Sequence, residues 1–185
     1  MATATAPALL TAEEFGRRPD PGYPEELVRG RIVEMPPPKP RHGQICGQVV
    51  YWLRRFLEDH DLGHVLCNDA GVITERGPDT VRGPDVAFYS FARVPKGPLP
   101  AEYLDVAPEL VFEVRSPGDR WAAVLAKVAE YLNAGVAVVC VLDPEPETAH
   151  LFFADRPALV RTADEEWAVP ELRGDFRVPV RRFFA

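Results

Sequence analysis

Lysine is scarce in this sequence. Of its 21 basic residues three are lysines, Lys39, Lys96 and Lys127, and the rest are arginines. Arginine pairs well with phosphate but stays protonated, so chemistry that requires an amine has few candidates here. The formal net charge of −7 argues against a general nucleic-acid coat, although it leaves room for a local basic cleft.

Cysteine is scarce as well. The three cysteines, Cys46, Cys67 and Cys140, include no C-x-x-C pair, and their odd number leaves at least one thiol unpaired. This pattern disfavours a thiolate zinc site and predicts reduced thiols in a cytoplasmic protein. No apolar run approaches the roughly 18 residues of a membrane span. The N-terminus also lacks the pattern of a secretory signal, so we expect no membrane partner.

The remaining composition is typical of one globular domain. The chain has 185 residues, 46% hydrophobic and 26% charged, and neither a linker nor a repeat divides it. We predict a single domain over 1–185, with 1–10 frayed before a short helix capped by Thr11. Hydrophobic spacing and turn residues then predict a hairpin over 25–35, a helix over 41–61, a strand over 63–75 with a break near Asn68-Asp69, a turn over 76–79, and a strand over 84–91.

The second half carries a strand–helix–strand unit. The strands are "ELVFEVRS" (109–116) and the uninterrupted apolar "VAVVCVLD" (136–143). Between them we predict a helix over 120–134, with Asp119 as its N-cap and Gly135 at its C-terminal end. Such a unit is expected to be parallel, and its apolar second strand is typical of a covered sheet centre. The predicted fold class is therefore α/β, a mixed central sheet with helices on both faces.

Two acids interrupt these apolar strands. Asp85 follows proline in "RGPDVAF" (82–88), and Glu113 lies inside "VFEVRSP" (111–117). Taken singly, each is explained as a turn-capping or a strand-edge acid. Together they offer hard oxygen ligands suited to Mg²⁺ or Mn²⁺, and the Val114 carbonyl and water can complete the shell. Such an ion polarises a phosphoryl oxygen and generates hydroxide from bound water.

Lys127 is predicted to lie beside Glu113. The strand from Glu113 to Ser116 and the returning helix from Arg120 to Lys127 each span about 10 Å. Lys127 lies at the border of the apolar helix face, so the alternative is a boundary lysine with its amine in water. Arg115 shares the strand face of Glu113, where it could neutralise phosphate or form a structural ion pair with Glu113.

Four sequence blocks carry a family resemblance. "RGPDVAF", "APELVFEVRSP", "KVAEYLNAGV" and "VLDP", in this order, resemble the Uma2 family, also called DUF820. This is a restriction-endonuclease-like family within the PD-(D/E)xK phosphodiesterase superfamily. The resemblance covers roughly residues 11–155 and includes the hairpin "EELVRGRIVEM" and the helix start "RHGQI". It implies a restriction-endonuclease-like fold and a Mg²⁺-dependent endonuclease that cleaves DNA, with Mn²⁺ as a substitute.

The resemblance also implies roles for individual residues. Asp85 and Glu113 match the metal-binding acids of the superfamily. The usual lysine two residues after the second acid is replaced by Arg115, and Lys127 matches a lysine of the family's helix. A catalytic lysine that has migrated to the helix explains this difference. Glu26 matches an acid on the early hairpin that holds the metal or orients water.

Three further residues are candidates for substrate contact: His42, Arg82 and Tyr131. His42 matches a histidine at the helix start, which could contact phosphate or assist proton transfer. A polar residue at a helix start is the alternative for His42, and core packing is the alternative for Tyr131.

Two other functions fit parts of the sequence. The first is a catalytically silent nuclease-like module that binds nucleic acid or protein. The second is another metal-dependent hydrolase with His42 and His64 as ligands, although the sequence has no H-x-x-x-H helix pattern. A homodimer is plausible for an enzyme that cuts two strands, because a twofold axis supplies two sites.

Overall fold

The computed structural model describes residues 8–172 and 175–185. Residues 1–7 of the predicted frayed segment lie outside the described residues. Helix α1 (Ala12–Gly16) begins after Thr11, as predicted, and Thr11 and Glu14 form a reciprocal capping box. Just before this cap, the backbone N–H of Leu10 donates a 2.9 Å hydrogen bond to the carbonyl of Gly30, so the described chain start is anchored to the first hairpin.

The predicted hairpin is confirmed. Strands β1 (Glu25–Val28) and β2 (Arg31–Glu34) pair antiparallel, with Val28 opposite Arg31. The two turn residues between them, Arg29 and Gly30, have φ values of 50° and 73°. Positive φ at both positions matches the twist of a two-residue hairpin turn, and it favours glycine at the second position.

The other elements follow in chain order. They are α2 (Pro40–Asp59), β3 (Gly63–Cys67), β4 (Val72–Glu75), β5 (Thr80–Arg82), β6 (Val86–Ser90), β7 (Leu110–Val114), α3 (Trp121–Asn133), β8 (Val138–Asp143), β9 (Thr148–Phe153), β10 (Leu159–Arg161), β11 (Glu166–Trp167), β12 (Val178–Pro179) and a closing 3-10 turn (Val180–Phe183). A main sheet has the strand order β10-β9-β8-β7-β6-β3, a smaller sheet the order β2-β1-β5-β4, and β11 pairs with β12.

The main sheet is mixed, as predicted. Strands β7 and β8 are parallel, with Glu113 opposite Val141, and the other neighbours in this sheet are antiparallel. Helix α3 connects the parallel pair and ends before Gly135, whose φ of 96° fits the expected C-terminal glycine. The strand–helix–strand unit therefore forms as its hydrophobic pattern indicates.

Two helices cover opposite faces of the main sheet. Helix α2 buries Ile45, Val49 and Leu53 in a core that contains Phe112 and Cys140. Helix α3 buries Val128 and Tyr131 against the alternate residues of the same strands, Val111, Val139 and Val141. Glu113 has the parity of Val111, so its side chain belongs to the face that α3 covers. Among the described residues, no helix combines the length and the apolar character needed to cross a bilayer.

Two local predictions need correction. The predicted break near Asn68-Asp69 is confirmed, since these residues have φ of 63° and 55°, but the two parts of the strand predicted over 63–75 belong to different sheets, β3 to the main sheet and β4 to the smaller one. Asp119 is not the N-cap of α3. Arg120 occupies that position without a side-chain cap, and Asp119 instead accepts a 2.8 Å hydrogen bond from the N–H of Ser116, which closes the preceding turn.

We expect the Phe112→Ala variant to lose about 3–5 kcal/mol of unfolding free energy. Phe112 is fully buried, and its ring centroid lies 5.2 Å from that of Trp167 and 5.8 Å from that of Phe183. Urea unfolding measures the loss. Leu125→Ala is the control, since Leu125 is 44% exposed and its removal is expected to cost less than about 1 kcal/mol. Equal losses in the two variants would contradict this packing.

Candidate active site

A cleft of about 930 Å³ lies where the first hairpin, the start of α2, the end of β7 and α3 meet. Most of the predicted site residues line it: Glu26, His42, Arg82, Asp85, Glu113, Arg115 and Lys127. These residues come from positions far apart in the chain. The fold therefore brings together the groups that the sequence singled out separately.

The ammonium of Lys127 is at the centre of this cleft. Its Nζ lies 3.0 Å from Oε1 and 3.2 Å from Oε2 of Glu113, and 3.1 Å from Oε1 of Glu26. The predicted proximity of Lys127 and Glu113 is thus confirmed. Burial disfavours the charged amine, but the two carboxylates outweigh it and raise the pKa of Lys127 above its usual range. The Lys127 amine is therefore protonated and fixed between the two carboxylates, so it does not act as a base.

Glu113 is held by α3 as well as by its own strand. The hydroxyl of Tyr131 donates a 2.8 Å hydrogen bond to Oε1 of Glu113. Burial raises the pKa of Glu113, and the charge of Asp85 adds to this rise, while Lys127 and Tyr131 oppose it. Tyr131, a candidate for substrate contact, is fully buried. Tyr131 therefore positions Glu113 through this hydrogen bond and does not line the cleft.

Asp85 lies beside Glu113 because of strand register. Val86 is opposite Phe112 in the antiparallel β6–β7 pair, so the preceding residue, Asp85, falls opposite Glu113. Oδ2 of Asp85 accepts a 2.6 Å hydrogen bond from the N–H of Val114, which fixes the carboxylate at the end of β7. Its other oxygen, Oδ1, lies 3.3 Å from Nε2 of His42. This hydrogen bond raises the pKa of His42 and favours the imidazolium.

Glu26 enters the cleft from the smaller sheet. It is 5% exposed and accepts hydrogen bonds from Arg82 (2.7 Å) and from the N–H of Gly83 (3.1 Å). Burial alone would raise its pKa, but Lys127 and Arg82 lower the pKa of Glu26 below its usual value. Arg82 also donates to both oxygens of Glu130, at 2.6 and 2.8 Å. Its guanidinium thus holds acids in place, and substrate contact by Arg82 stays a prediction.

Arg115 does not pair with Glu113. Strand β7 ends at Val114, so the alternation that would place Arg115 on the face of Glu113 does not continue. Its guanidinium binds both oxygens of Asp143, at 2.9 and 3.1 Å, and donates at 3.3 Å to the carbonyl of Asp119. Arg115 lines the cleft but is tied to β8, where the buried Asp143 was not among the predicted site residues.

Sequence reasoning missed two acids: Asp69, which lines the cleft, and Glu130, which binds Arg82. Asp69 lies at the break between β3 and β4, and the loss of solvent around it, followed by the charge of Asp85, raises its pKa. The neighbouring Gly83 allows this approach, since a Cβ there would lie 2.8 Å from the Cβ of Asp69. The Asn68-Asp69 break was visible in the sequence, but its position beside Asp85 depends on tertiary packing.

The donor set fits a hard divalent cation. Asp85, Glu113 and Glu26 supply carboxylate oxygens, the ligands that Mg²⁺ and Mn²⁺ prefer, but their oxygens do not all lie within 4.8 Å of one another, and Lys127 bridges Glu26 and Glu113. Burial is the main cause of the raised pKa of Glu113, and the charge of Asp85 adds to it; a cation between the two carboxylates relieves this repulsion. His64 is not part of this set. Its Nε2 lies 3.1 Å from the carbonyl of Pro95, away from the residues that line the cleft, so a His42–His64 site is wrong.

The fold is a nuclease-like α/β fold. A crystal structure described as "a putative nuclease belonging to DUF820" from Anabaena variabilis ATCC 29413 superposes with a TM-score of 0.80 at 20% sequence identity, covering 95% of this chain and 97% of that one. The Uma2 family model, described as "Putative restriction endonuclease", matches residues 12–181. The chain therefore belongs to the Uma2 family. A search of curated proteins found no match.

We expect Lys127→Met to destabilise the metal-free protein by about 3–5 kcal/mol at pH 7.5, because it leaves two buried carboxylates without their shared cation. Glu26 has a lowered pKa, so its stabilising contribution is present above the unfolded value and is lost as pH falls. In the variant, burial without the Lys127 cation raises the pKa of both carboxyls, so they take up protons near pH 4.5 and the cost should shrink there. Urea unfolding at the two pH values measures this change.

Lys96→Met is the matched control for that variant. Lys96 pairs with Asp61 on the surface, with both side chains about two-thirds exposed, so its loss should cost about 1 kcal/mol or less. If Lys127→Met costs as little stability as Lys96→Met, or costs the same at both pH values, the contacts of Lys127 with Glu113 and Glu26 do not stabilise the fold.

Proposed function

We propose that this protein is a Mg²⁺-dependent endonuclease that hydrolyses phosphodiester bonds of DNA. The observation that carries the proposal is the convergence of Lys127 with Glu113, Glu26 and Asp85 in one cleft. Asp85, Glu113 and Glu26 would hold Mg²⁺, and Mn²⁺ would substitute. When bound, the ion polarises a phosphoryl oxygen and lowers the pKa of a water molecule.

The chain's own residues supply the remaining chemistry. Lys127 stays protonated and stabilises the negative charge that develops on the phosphoryl oxygens. It takes the charge role of the superfamily lysine from a helix instead of a strand, while Arg115 is occupied by Asp143. His42 carries a proton at a fixed position beside Asp85, where it can contact phosphate or protonate a leaving oxygen.

The walls of the cleft suit a polyanion despite the acidic chain. Its lining includes the exposed cations Lys39 and Arg120 and the exposed apolar residues Val33, Met35 and Pro36. Cations contact phosphate oxygens, and apolar groups contact sugars and bases. Cutting both strands of a duplex would use two copies related by a twofold axis, so we include a homodimer in the proposal.

Asp85→Asn and Glu113→Gln should each lower Mg²⁺-dependent DNA cleavage by more than about 100-fold, since each removes a ligand charge. Calorimetry should show the same variants losing Mn²⁺ binding while circular dichroism shows the fold intact. Asp61→Asn, a surface acid of the same chemistry, is the control and should cleave like wild type.

Two outcomes would overturn this assignment. Wild-type cleavage rates in both acid variants would remove the metal site from the reaction. If single-stranded, double-stranded and branched DNA are bound but never cut with Mg²⁺ or Mn²⁺, the protein is the catalytically silent nucleic-acid-binding module and not an enzyme.

Lys127→Ala should lower the cleavage rate constant about 10²–10³-fold without weakening Mn²⁺ binding, since it removes a charge-stabilising group and a competing cation but no metal ligand. Lys127→Arg should recover part of the rate, because it restores the charge. Single-turnover cleavage with saturating Mn²⁺ measures both variants. Full activity in Lys127→Ala would contradict the role given to Lys127, and that role would then belong to Arg115 or to no residue.

A further inference from the structure

Next to the carboxylate cluster lies a second group of metal-ligating side chains. His42 and Cys46 are one helical turn apart near the start of α2, and Sγ of Cys46 lies 3.5 Å from Nδ1 of His42. Asp85 approaches the other ring nitrogen at 3.3 Å. One ligand atom from each residue can be chosen so that all three atoms lie within 4.8 Å of one another.

We propose that His42, Cys46 and Asp85 form a binding site for a borderline-soft divalent cation, Zn²⁺. Thiolate, imidazole and carboxylate together suit Zn²⁺, whereas Mg²⁺ prefers oxygen ligands alone. In a tetrahedral zinc site the ligand atoms lie about 3.3–3.8 Å apart, as bond lengths of about 2.0–2.3 Å require. The two short spacings involve different ring nitrogens of His42, so coordination through one nitrogen requires the three side chains to close from within 4.8 Å of one another to this spacing.

The surroundings hold these ligands in position. Asp85 is fixed by its hydrogen bond from the N–H of Val114, which leaves Oδ1 directed to His42. Cys46 is half-buried and packs against the core on the sheet side of α2. Three protein ligands leave a fourth position for water. Binding exchanges the thiol proton for the metal, because a coordinated cysteine is a thiolate.

Sharing Asp85 makes the zinc site relevant to cleavage. Asp85 belongs both to this group and to the set proposed for Mg²⁺, so bound Zn²⁺ withdraws a ligand from the catalytic ion. Zn²⁺ is then an inhibitor of cleavage. This consequence rests on the proposed function, whereas the zinc site itself does not.

Cobalt spectroscopy tests the site without any cleavage assay. Titrating the reduced full-length protein with Co²⁺ should produce a near-ultraviolet thiolate-to-cobalt absorption at one equivalent, which Zn²⁺ then removes by displacement. Cys46→Ser should lose this absorption, and His42→Ala should weaken Co²⁺ binding by at least about 100-fold. Cys67→Ser is the control and should behave like wild type, since Cys67 is exposed outside the group.

The Glu113→Gln variant separates the two proposals. Glu113 is not a ligand of the zinc group, so this variant should lose Mn²⁺ binding but keep the cobalt–thiolate absorption. No absorption in wild type, or absorption that survives in Cys46→Ser, overturns the zinc site. If Cys46→Ser fails to fold, unchanged Co²⁺ affinity in His42→Ala overturns it equally. A cobalt signal without DNA cleavage leaves the zinc site standing and refutes the nuclease.

Discussion

The buried ammonium of Lys127 is the interaction on which the site depends. It lies between Glu113 of the main sheet and Glu26 of the smaller sheet, and so it joins two sheets through one side chain of α3. A lone buried charge of either sign is costly, and removing one member exposes the others to that cost. Arg82 extends the network from Glu26 to Glu130, which returns to α3. The cleft is therefore held together by the same charges that would perform its chemistry.

Backbone pairing between β6 and β7 brings Asp85 and Glu113 together. The β6–β7 register places Asp85 opposite Glu113, and the N–H of Val114 holds the carboxylate of Asp85 there. Two carboxylates at the ends of neighbouring strands repel each other, and a cation relieves that repulsion. Asp85 also faces His42 at the start of α2, so a single carboxylate adjoins both a hard, all-oxygen donor set and a group containing imidazole and thiol.

Membership of the Uma2 family and a nuclease-like fold do not by themselves determine a reaction. In the proposed function, the placement of charge is what links this chain to phosphodiester chemistry. A lysine on a helix can supply this charge because the antiparallel return of α3 brings Nζ of Lys127 to 3.0 Å from Glu113. Arg115, at the position expected for the lysine, is instead bound to Asp143. The position of a charge in the cleft, and not its position in the motif, is what the chemistry requires.

The sequence by itself determined the local elements and part of the site. Alternating and helical hydrophobic patterns predicted the hairpin, both long helices and the parallel strand pair, and simple rise arithmetic placed Lys127 beside Glu113. These features depend on short-range geometry, which sequence spacing encodes. The separation of β3 from β4 into two sheets, the pairing of Arg115 with Asp143, and the meeting of Glu26 with Lys127 were decided only by tertiary structure. Each depends on contacts between segments distant in the chain, whose mutual orientation no local pattern records.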